Sequence, residues 1–320
     1  MTRTLLQILQ WLVILVAVVA LGVLVLRRCE APASHAPPLA SAPLPEPRTP
    51  LGVGSCAEGG YADAATDNAI TLQTLAWAPF RRPEVGWAIY APRIAQTIST
   101  DCGPETPAFS AALAAWQHAH RLPVSGRLDP GTFESMKQSW FAQGLHTRAP
   151  GSQACPDPPP ETALDVASPA ESYGGKTILL RPEALAAYRR MAAAARRALP
   201  SLAADPTLLT IFSGYRSPAA DDARCVSEAN CSGPTRAACS PHRTGLAVDI
   251  TLGSAPGFRI DSSADRNRLY MSRTPAYRWL LAHAAEYGFV NYAFEPWHWE
   301  FVGSGGPRSS ARPPSGPPPA

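Results

Sequence analysis

Two short runs of residues constrain the fold of this chain more than any other feature of its sequence. The first, at 240–249, reads SPHRTGLAVD, and the second, at 295–298, reads EPWH. His242 and Asp249 are separated by six residues, which is too far for one face of a helix and suits a loop that leads into a strand. The sequence therefore predicts a short strand around Asp249, and the fold has to bring the second run to it.

Together the two runs supply the side chains of a catalytic zinc site. Such a site needs three protein ligands, an open position for water and a carboxylate that takes the proton of the water. The candidate ligands are His242, Asp249 and His298, and the separate carboxylate is Glu295. Either run alone more often has a structural role. A lone aspartate usually caps a helix or forms an ion pair, and a lone histidine usually packs against neighbouring side chains. Zinc is the default ion for this set, and the sequence leaves cobalt and manganese open.

The spacing SxHxxGxAxD followed by ExWH resembles that of the VanY-type D-alanyl-D-alanine carboxypeptidases. This family belongs to a wider group of zinc peptidases that includes the VanX-type dipeptidases, phage endopeptidases and the hedgehog fold. The resemblance covers about residues 175–303. It implies that His242, Asp249 and His298 bind zinc and that Glu295 is the general base.

An upstream run at 213–217 (SGYRS) also fits this family. The resemblance implies that Arg216 faces the scissile carbonyl, where a fixed cation stabilises the developing oxyanion. We expect further substrate contacts from three residues: Ser240, Tyr215 and Trp297. The sequence differs from the usual family pattern at two places near the expected substrate position. Family members often have an aromatic residue and a glutamine after the SGYRS run, whereas residues 218–221 here are PAAD. Many carboxypeptidases of the family have a basic residue at the position of Glu300.

The resemblance implies hydrolysis of an amide bond, and the ligand types indicate its mechanism. Two neutral imidazoles and one carboxylate leave zinc with net positive charge, which lowers the pKa of its water to about 7. Glu295 would take that proton and deliver it to the leaving amine. The predicted reaction releases the terminal D-Ala of peptidoglycan stem peptides. The alternatives are an endopeptidase of the same zinc group and a non-catalytic wall-binding protein. A serine carboxypeptidase is excluded, because neither lysine lies in a Ser-x-x-Lys motif.

An apolar run at 5–26 predicts a single transmembrane helix, since it is long enough to cross a hydrocarbon core of ~30 Å. A cleavable signal peptide is the rival interpretation. It is disfavoured because the sequence RRCE follows the run directly, without a small-residue cleavage site. We therefore expect a single-pass protein of the inner (cytoplasmic) membrane.

The cysteines indicate the side of the membrane on which the rest of the chain lies. Cys29 borders the apolar run and the other six of the seven follow it, at 56, 102, 155, 225, 231 and 239. An even number suits disulfides in an oxidising compartment, and the Cys-x2-Cys spacing of a zinc knot is missing. We expect the catalytic domain in the periplasm or cell-wall space, with the cysteine pairing left open. The modest net charge of +3 argues against nucleic acid as a partner.

The segment at 106–137 resembles the peptidoglycan-binding helical module that is fused to many wall hydrolases. Phe109, Leu113 and Trp116 fall on one face of a predicted helix, and Asp129 is expected to cap a second helix. The resemblance implies peptidoglycan as a partner. The alternative is a three-helix domain with no ligand of its own.

Patterning and composition predict an α+β catalytic domain preceded by a small all-α module and the transmembrane helix. Its expected elements are helices over 182–199 and 275–287 and strands over 208–212, 246–251 and 289–294. Proline-rich stretches mark a spacer and a linker. The predicted segments are an anchor (1–30), a spacer (31–55), the helical module (56–147), a linker (148–172), the catalytic domain (173–303) and a disordered tail (304–320).

Overall fold

The computed structural model describes residues 56–145, 157–227 and 240–303. The predicted anchor, the predicted spacer and the predicted tail lie outside these residues. Within the described part of the chain, no helix has both the length and the apolar character needed to cross a membrane. All the described residues fall within one unit of the chain.

The N-terminal described segment, which we call the helical module (56–145), contains four helices and a two-stranded ribbon. Its elements are α1 (Ala62–Thr74), β1 (Ala76–Trp77), β2 (Glu84–Val85), α2 (Ala91–Thr97), α3 (Pro107–Ala119) and α4 (Pro130–Phe141). Asp129 caps α4 as predicted, because its carboxylate accepts a hydrogen bond from the Thr132 amide at 2.8 Å. A disulfide joins Cys56 to Cys102.

The C-terminal described segment begins with a short ribbon and a long helix. Its elements are β3 (Asp165–Val166), β4 (Leu179–Leu180), α5 (Pro182–Ala198), α6 (Pro200–Ala204), β5 (Ile211–Ser213), α7 (Pro218–Ser227), β6 (Ala247–Ile250), α8 (Asp265–Ser272), α9 (Pro275–His283), β7 (Phe289–Asn291) and β8 (His298–Phe301). Short 3-10 turns lie at Glu161–Ala163, Pro169–Glu171, Tyr173–Gly175, Pro241–Thr244 and Ala284–Tyr287.

Four strands form an antiparallel sheet in the order β5-β6-β8-β7. Helix α5 buries one face against this sheet, with Leu185, Tyr188 and Met191 among its buried residues. The outcome is the α+β class that the sequence predicts, since separate helices cover an antiparallel sheet.

Several boundaries differ from the predictions. The strand predicted over 289–294 ends at Asn291, because turns at 293–294 and 296–297 lead from it into β8. Strand β5 begins at Ile211 rather than 208, because Leu209 has a positive φ of 65° and ends a turn there. The second half of the predicted linker contains β3, which pairs with β4. Leu164 and Ala167, on either side of β3, are buried, and this apolar burial keeps the segment folded against the domain.

The helical module and the C-terminal described segment share a hydrophobic core. Ala293 and Phe294, from the loop between β7 and β8, belong to the same buried cluster as Phe80, Tyr90 and the other apolar residues of the module. This packing fixes the module beside the end of the sheet that carries the predicted site.

Candidate metal centre

Strands β6 and β8 bring the two sequence runs together. Asp249 of β6 lies directly opposite His298 of β8 in the antiparallel register, so their side chains point to the same face of the sheet. His242 enters from the 3-10 turn Pro241–Thr244, which ends at Gly245 in the left-handed region with φ of 70°. A side chain at Gly245 would be strained there and would lie 2.9 Å from Leu164, so glycine is needed to turn the chain into β6.

The three predicted ligands form one buried cluster. One potential ligand atom from each of His242, Asp249 and His298 lies within 4.8 Å of the other two. His242 Nε2 is 3.2 Å from Asp249 Oδ2, and His298 Nδ1 is 2.9 Å from Asp249 Oδ1. All three side chains are almost fully buried. Two imidazoles and a carboxylate at this spacing fit a zinc ion.

The hydrogen bonds of the outer ring nitrogens define which nitrogens face inward. His242 Nδ1 lies 2.7 Å from the Gly214 carbonyl, which can only accept, so this nitrogen carries the proton and Nε2 is left to bind a cation. His298 Nε2 lies 3.3 Å from Glu300 Oε1, which leaves Nδ1 facing Asp249. Oxygen partners on the outer nitrogens are the usual support of metal-binding histidines.

The charges of the cluster also suit a cation. Burial opposes ionisation of Asp249, but the adjacent His242 and His298 hold the pKa of its carboxyl below the ordinary value. Burial lowers the pKa of His242, whereas the hydrogen bonds from His298 to Asp249 and Glu300 outweigh burial and raise the pKa of His298. The cluster therefore combines the carboxylate of Asp249, the neutral imidazole of His242 and the imidazole of His298, whose extra proton a metal ion can displace.

Glu295 lies in the same cleft as these ligands, just before β8. The surrounding protein raises the pKa of its carboxyl to about 7, because burial disfavours the charged form and Asp249 adds repulsion. His298 and Arg216 act in the opposite direction. A carboxyl group with this pKa can take up and release a proton near neutral pH.

Arg216 is held in a fixed orientation at the edge of the cluster. Its Nη1 donates to Ser213 Oγ at 3.0 Å, and its Nη2 donates to Ser240 Oγ at 3.1 Å. Its Nε lies 3.3 Å from Asp221 Oδ1. Burial lowers the pKa of the guanidinium, and the group keeps its positive charge because Asp249 and Asp221 oppose that effect.

Asp221 is a residue of this site that the sequence reasoning missed. It is buried, and it forms ion pairs with both Arg216 and Arg243. The sequence did offer a hint: Asp221 is the last residue of the PAAD segment, which differs from the residues that the family often has there. It lies in the first turn of α7, soon after the SGYRS run. An acid at that point can brace the arginine that precedes it.

A single cleft of about 1590 Å³ collects most of the predicted site residues. It is lined by the three candidate ligands and by Glu295, Arg216, Ser240 and Trp297. Tyr215 is not among the lining residues of this cleft, and its contact with substrate stays a prediction. The Tyr215 amide donates to the Leu179 carbonyl, which ties the backbone of this residue to β4.

Comparison with known proteins finds a family match for the C-terminal part of the chain. Residues 177–304 match the family described as VanY: D-alanyl-D-alanine carboxypeptidase, which confirms the resemblance predicted from the sequence. This match includes every residue of the candidate metal centre. The solved structure of the LdcB LD-carboxypeptidase is similar at 22% sequence identity, covers 48% of this chain and 72% of that chain, and has a TM-score of 0.33. A search of curated proteins found no match.

Proposed function

We propose that residues 173–303 form a zinc-dependent D-alanyl-D-alanine carboxypeptidase that removes the terminal D-Ala from peptidoglycan stem peptides. The observation that carries this proposal is the meeting of His242, Asp249 and His298 in one cleft that Glu295 also lines. The family match of the same segment to carboxypeptidases supports it.

The residues of the cleft divide the chemistry between them. The two histidines and Asp249 would hold a zinc ion, and a zinc ion there would act as a Lewis acid that polarises a carbonyl and lowers the pKa of water. Glu295 accepts a proton from the attacking water at its carboxylate and later donates it to the leaving amine. Arg216 places a fixed positive charge at the cleft edge, where it stabilises negative charge that develops on the carbonyl oxygen. Ser240 and Ser213 keep that charge in place.

An endopeptidase of the same zinc group is the second candidate. The observation that favours it is Glu300, whose side chain lines the cleft beside His298. A carboxylate there repels the terminal carboxylate of a carboxypeptidase substrate, whereas the interior of a stem or cross-link carries no such charge at the cut bond.

Mass analysis of digested muropeptides separates these two activities. The carboxypeptidase proposal predicts that pentapeptide stems lose one alanine on incubation with the purified protein, and that Glu295→Gln abolishes this loss. Conversion of cross-linked dimers to monomers, with pentapeptides left intact, would replace the proposal with the endopeptidase.

We also propose that the chain is anchored in the inner membrane through residues 5–26, with the peptidase and the helical module in the periplasm and peptidoglycan as their partner. The apolar run and the Cys56–Cys102 disulfide support this arrangement, and Cys225 is disulfide-bonded as well. A C-terminal reporter that works only outside the cytoplasm should be active. A cytoplasmic C-terminus with all cysteines reduced would contradict it.

A further inference from the structure

Strand β8 presents Glu300 to the metal centre. Side chains alternate along a strand, so His298 and Glu300 share one face, while Trp299 and Phe301 point into the core on the other. Glu300 is 5% exposed, which is unusual for a carboxylate unless its oxygens are paired. We therefore expect both carboxylate oxygens of Glu300 to accept hydrogen bonds.

Each oxygen of Glu300 accepts a hydrogen bond from a different part of the molecule. Oε1 accepts from the imidazole of His298 at 3.3 Å, and Oε2 accepts from the backbone amide of Leu145 at 2.6 Å. Leu145 lies 155 residues earlier, just after α4 in the helical module. The carboxylate thus connects the module to a candidate zinc ligand.

Gly144 allows the module backbone to approach this closely. A Cβ built on Gly144 would lie 2.8 Å from Glu300 Oε2, which is shorter than a normal contact. The next nearest atom to this Cβ is the Phe141 carbonyl oxygen, at an ordinary contact distance of 3.5 Å. The absence of a side chain at position 144 therefore leaves the space that the Glu300 carboxylate occupies.

A second connection holds the backbone of His298. The Asn291 side-chain amide donates to the His298 carbonyl at 2.9 Å, and its oxygen accepts from Arg93 Nη1 of the module at 3.0 Å. The same amide nitrogen lies 3.1 Å from the Glu295 carbonyl. Both the ring and the main chain of His298 are thus linked to the module.

The module is fixed by a buried ion pair as well as by these hydrogen bonds. Arg268 of α8 is completely buried, and its Nη1 lies 3.0 Å from Glu84 Oε1. Its Nη2 lies 2.6 Å from the hydroxyl of Tyr90. Separating the two parts would leave the Arg268 and Glu84 charges without their buried partners, which strongly disfavours separation.

We propose that the helical module is a structural part of the metal centre and that Glu300 is the positioning residue through which the Leu145 amide orients the His298 ring for metal binding. The inference rests on the proposed function only in requiring a metal at His242, Asp249 and His298. It assigns to Glu300 a role that the basic residue expected there could not fill, because a cation cannot accept from either donor.

Zinc affinity and a cobalt spectrum test this proposal on the full chain. Competition with a chromogenic chelator gives the zinc Kd, and the visible absorption of the Co²⁺-loaded protein reports ligand geometry without any substrate. Glu300→Ala should weaken zinc binding by about 10–100-fold, as loss of the hydrogen-bond partner of a metal-binding histidine usually does. Gly144→Ala should shift Kd the same way and alter the cobalt spectrum, because its methyl group displaces the Glu300 carboxylate.

Two matched variants serve as controls. Gly60→Ala adds a methyl group to the module at a point where, apart from its chain neighbours, no atom of the described residues lies within 4 Å. Glu134→Ala removes a module carboxylate that faces the cleft but pairs with Lys137. Both should retain the wild-type zinc Kd and cobalt spectrum.

Gly144→Ala keeps the test decisive if Glu300→Ala does not fold, since its metal-free melting temperature can be compared with that of Gly60→Ala. Wild-type zinc Kd and an unchanged cobalt spectrum in a folded Gly144→Ala or Glu300→Ala variant would overturn the inference. A wild-type protein that binds no divalent metal would instead overturn the proposed function, and this inference with it.

Discussion

At the scale of single residues, hydrogen bonds set the chemistry of each group in the cleft. Gly214 and Glu300 define which ring nitrogens of the two histidines face Asp249, and burial sets the pKa of Glu295. These partners act through tautomer and charge, which are properties that residue identity alone does not determine. The environment of each side chain therefore matters as much as its presence.

The pKa of Glu295 predicts an acid limb in the pH profile of hydrolysis. A general base must be ionised, and burial raises the pKa of this carboxyl to about 7. Activity should therefore fall as the pH decreases through about 7, while the positive charge of a bound metal moves the midpoint below that value. The measurement is kcat/KM from about pH 5 to 9. A profile that stays flat across this range would argue against Glu295 as the base.

At the scale of elements, side-chain caps and the sheet register position the site. Helix α9 begins where the Thr274 hydroxyl accepts from the Tyr277 amide, and α4 begins at Asp129 in the same way. Such caps are local and can be read from sequence. The positive φ of Leu209 and the pairing of β3 with β4 depend on tertiary contacts, so local patterns placed β5 too early and left β3 within a linker.

Helix α7 makes a testable contribution through its first turn. Asp221→Ala leaves Arg216 and Arg243 without their shared buried carboxylate, so we expect a loss of about 3 kcal/mol in the free energy of unfolding and a lower kcat. Asp222→Ala is the matched control. Asp222 also pairs with Arg243 but is mostly exposed, so its removal should cost less than about 1 kcal/mol. Equal denaturant midpoints for the two variants would show that Asp221 does not brace Arg216.

At the scale of the whole molecule, sequence reasoning could not predict that the helical module docks on the C-terminal segment. The ligand set, the α+β class and the helical faces follow from spacing and periodicity, which are local signals. Contacts such as Arg268 with Glu84 and Glu300 with Leu145 join residues far apart in the chain. From the sequence alone, Glu300 could be recognised only as a difference from the family pattern near the substrate. Its hydrogen-bond partner, the Leu145 amide, belongs to another segment of the chain.

The account as a whole depends on a division between residues that hold a metal and a residue that moves a proton. His242, Asp249 and His298 each supply one potential ligand atom, whereas Glu295 lines the cleft outside that set of three. Loss of a ligand should therefore lower both metal content and turnover, whereas loss of the base should lower turnover alone.

Metal content and turnover, measured together on the same purified variants, test this division most directly. His298→Ala should lose bound zinc and hydrolysis together, because one of three protein ligands is gone. Glu295→Gln should retain zinc at the wild-type level and lose at least about 100-fold in kcat, because only the proton acceptor is removed. Wild-type turnover in Glu295→Gln, or full zinc content in His298→Ala, would contradict the account.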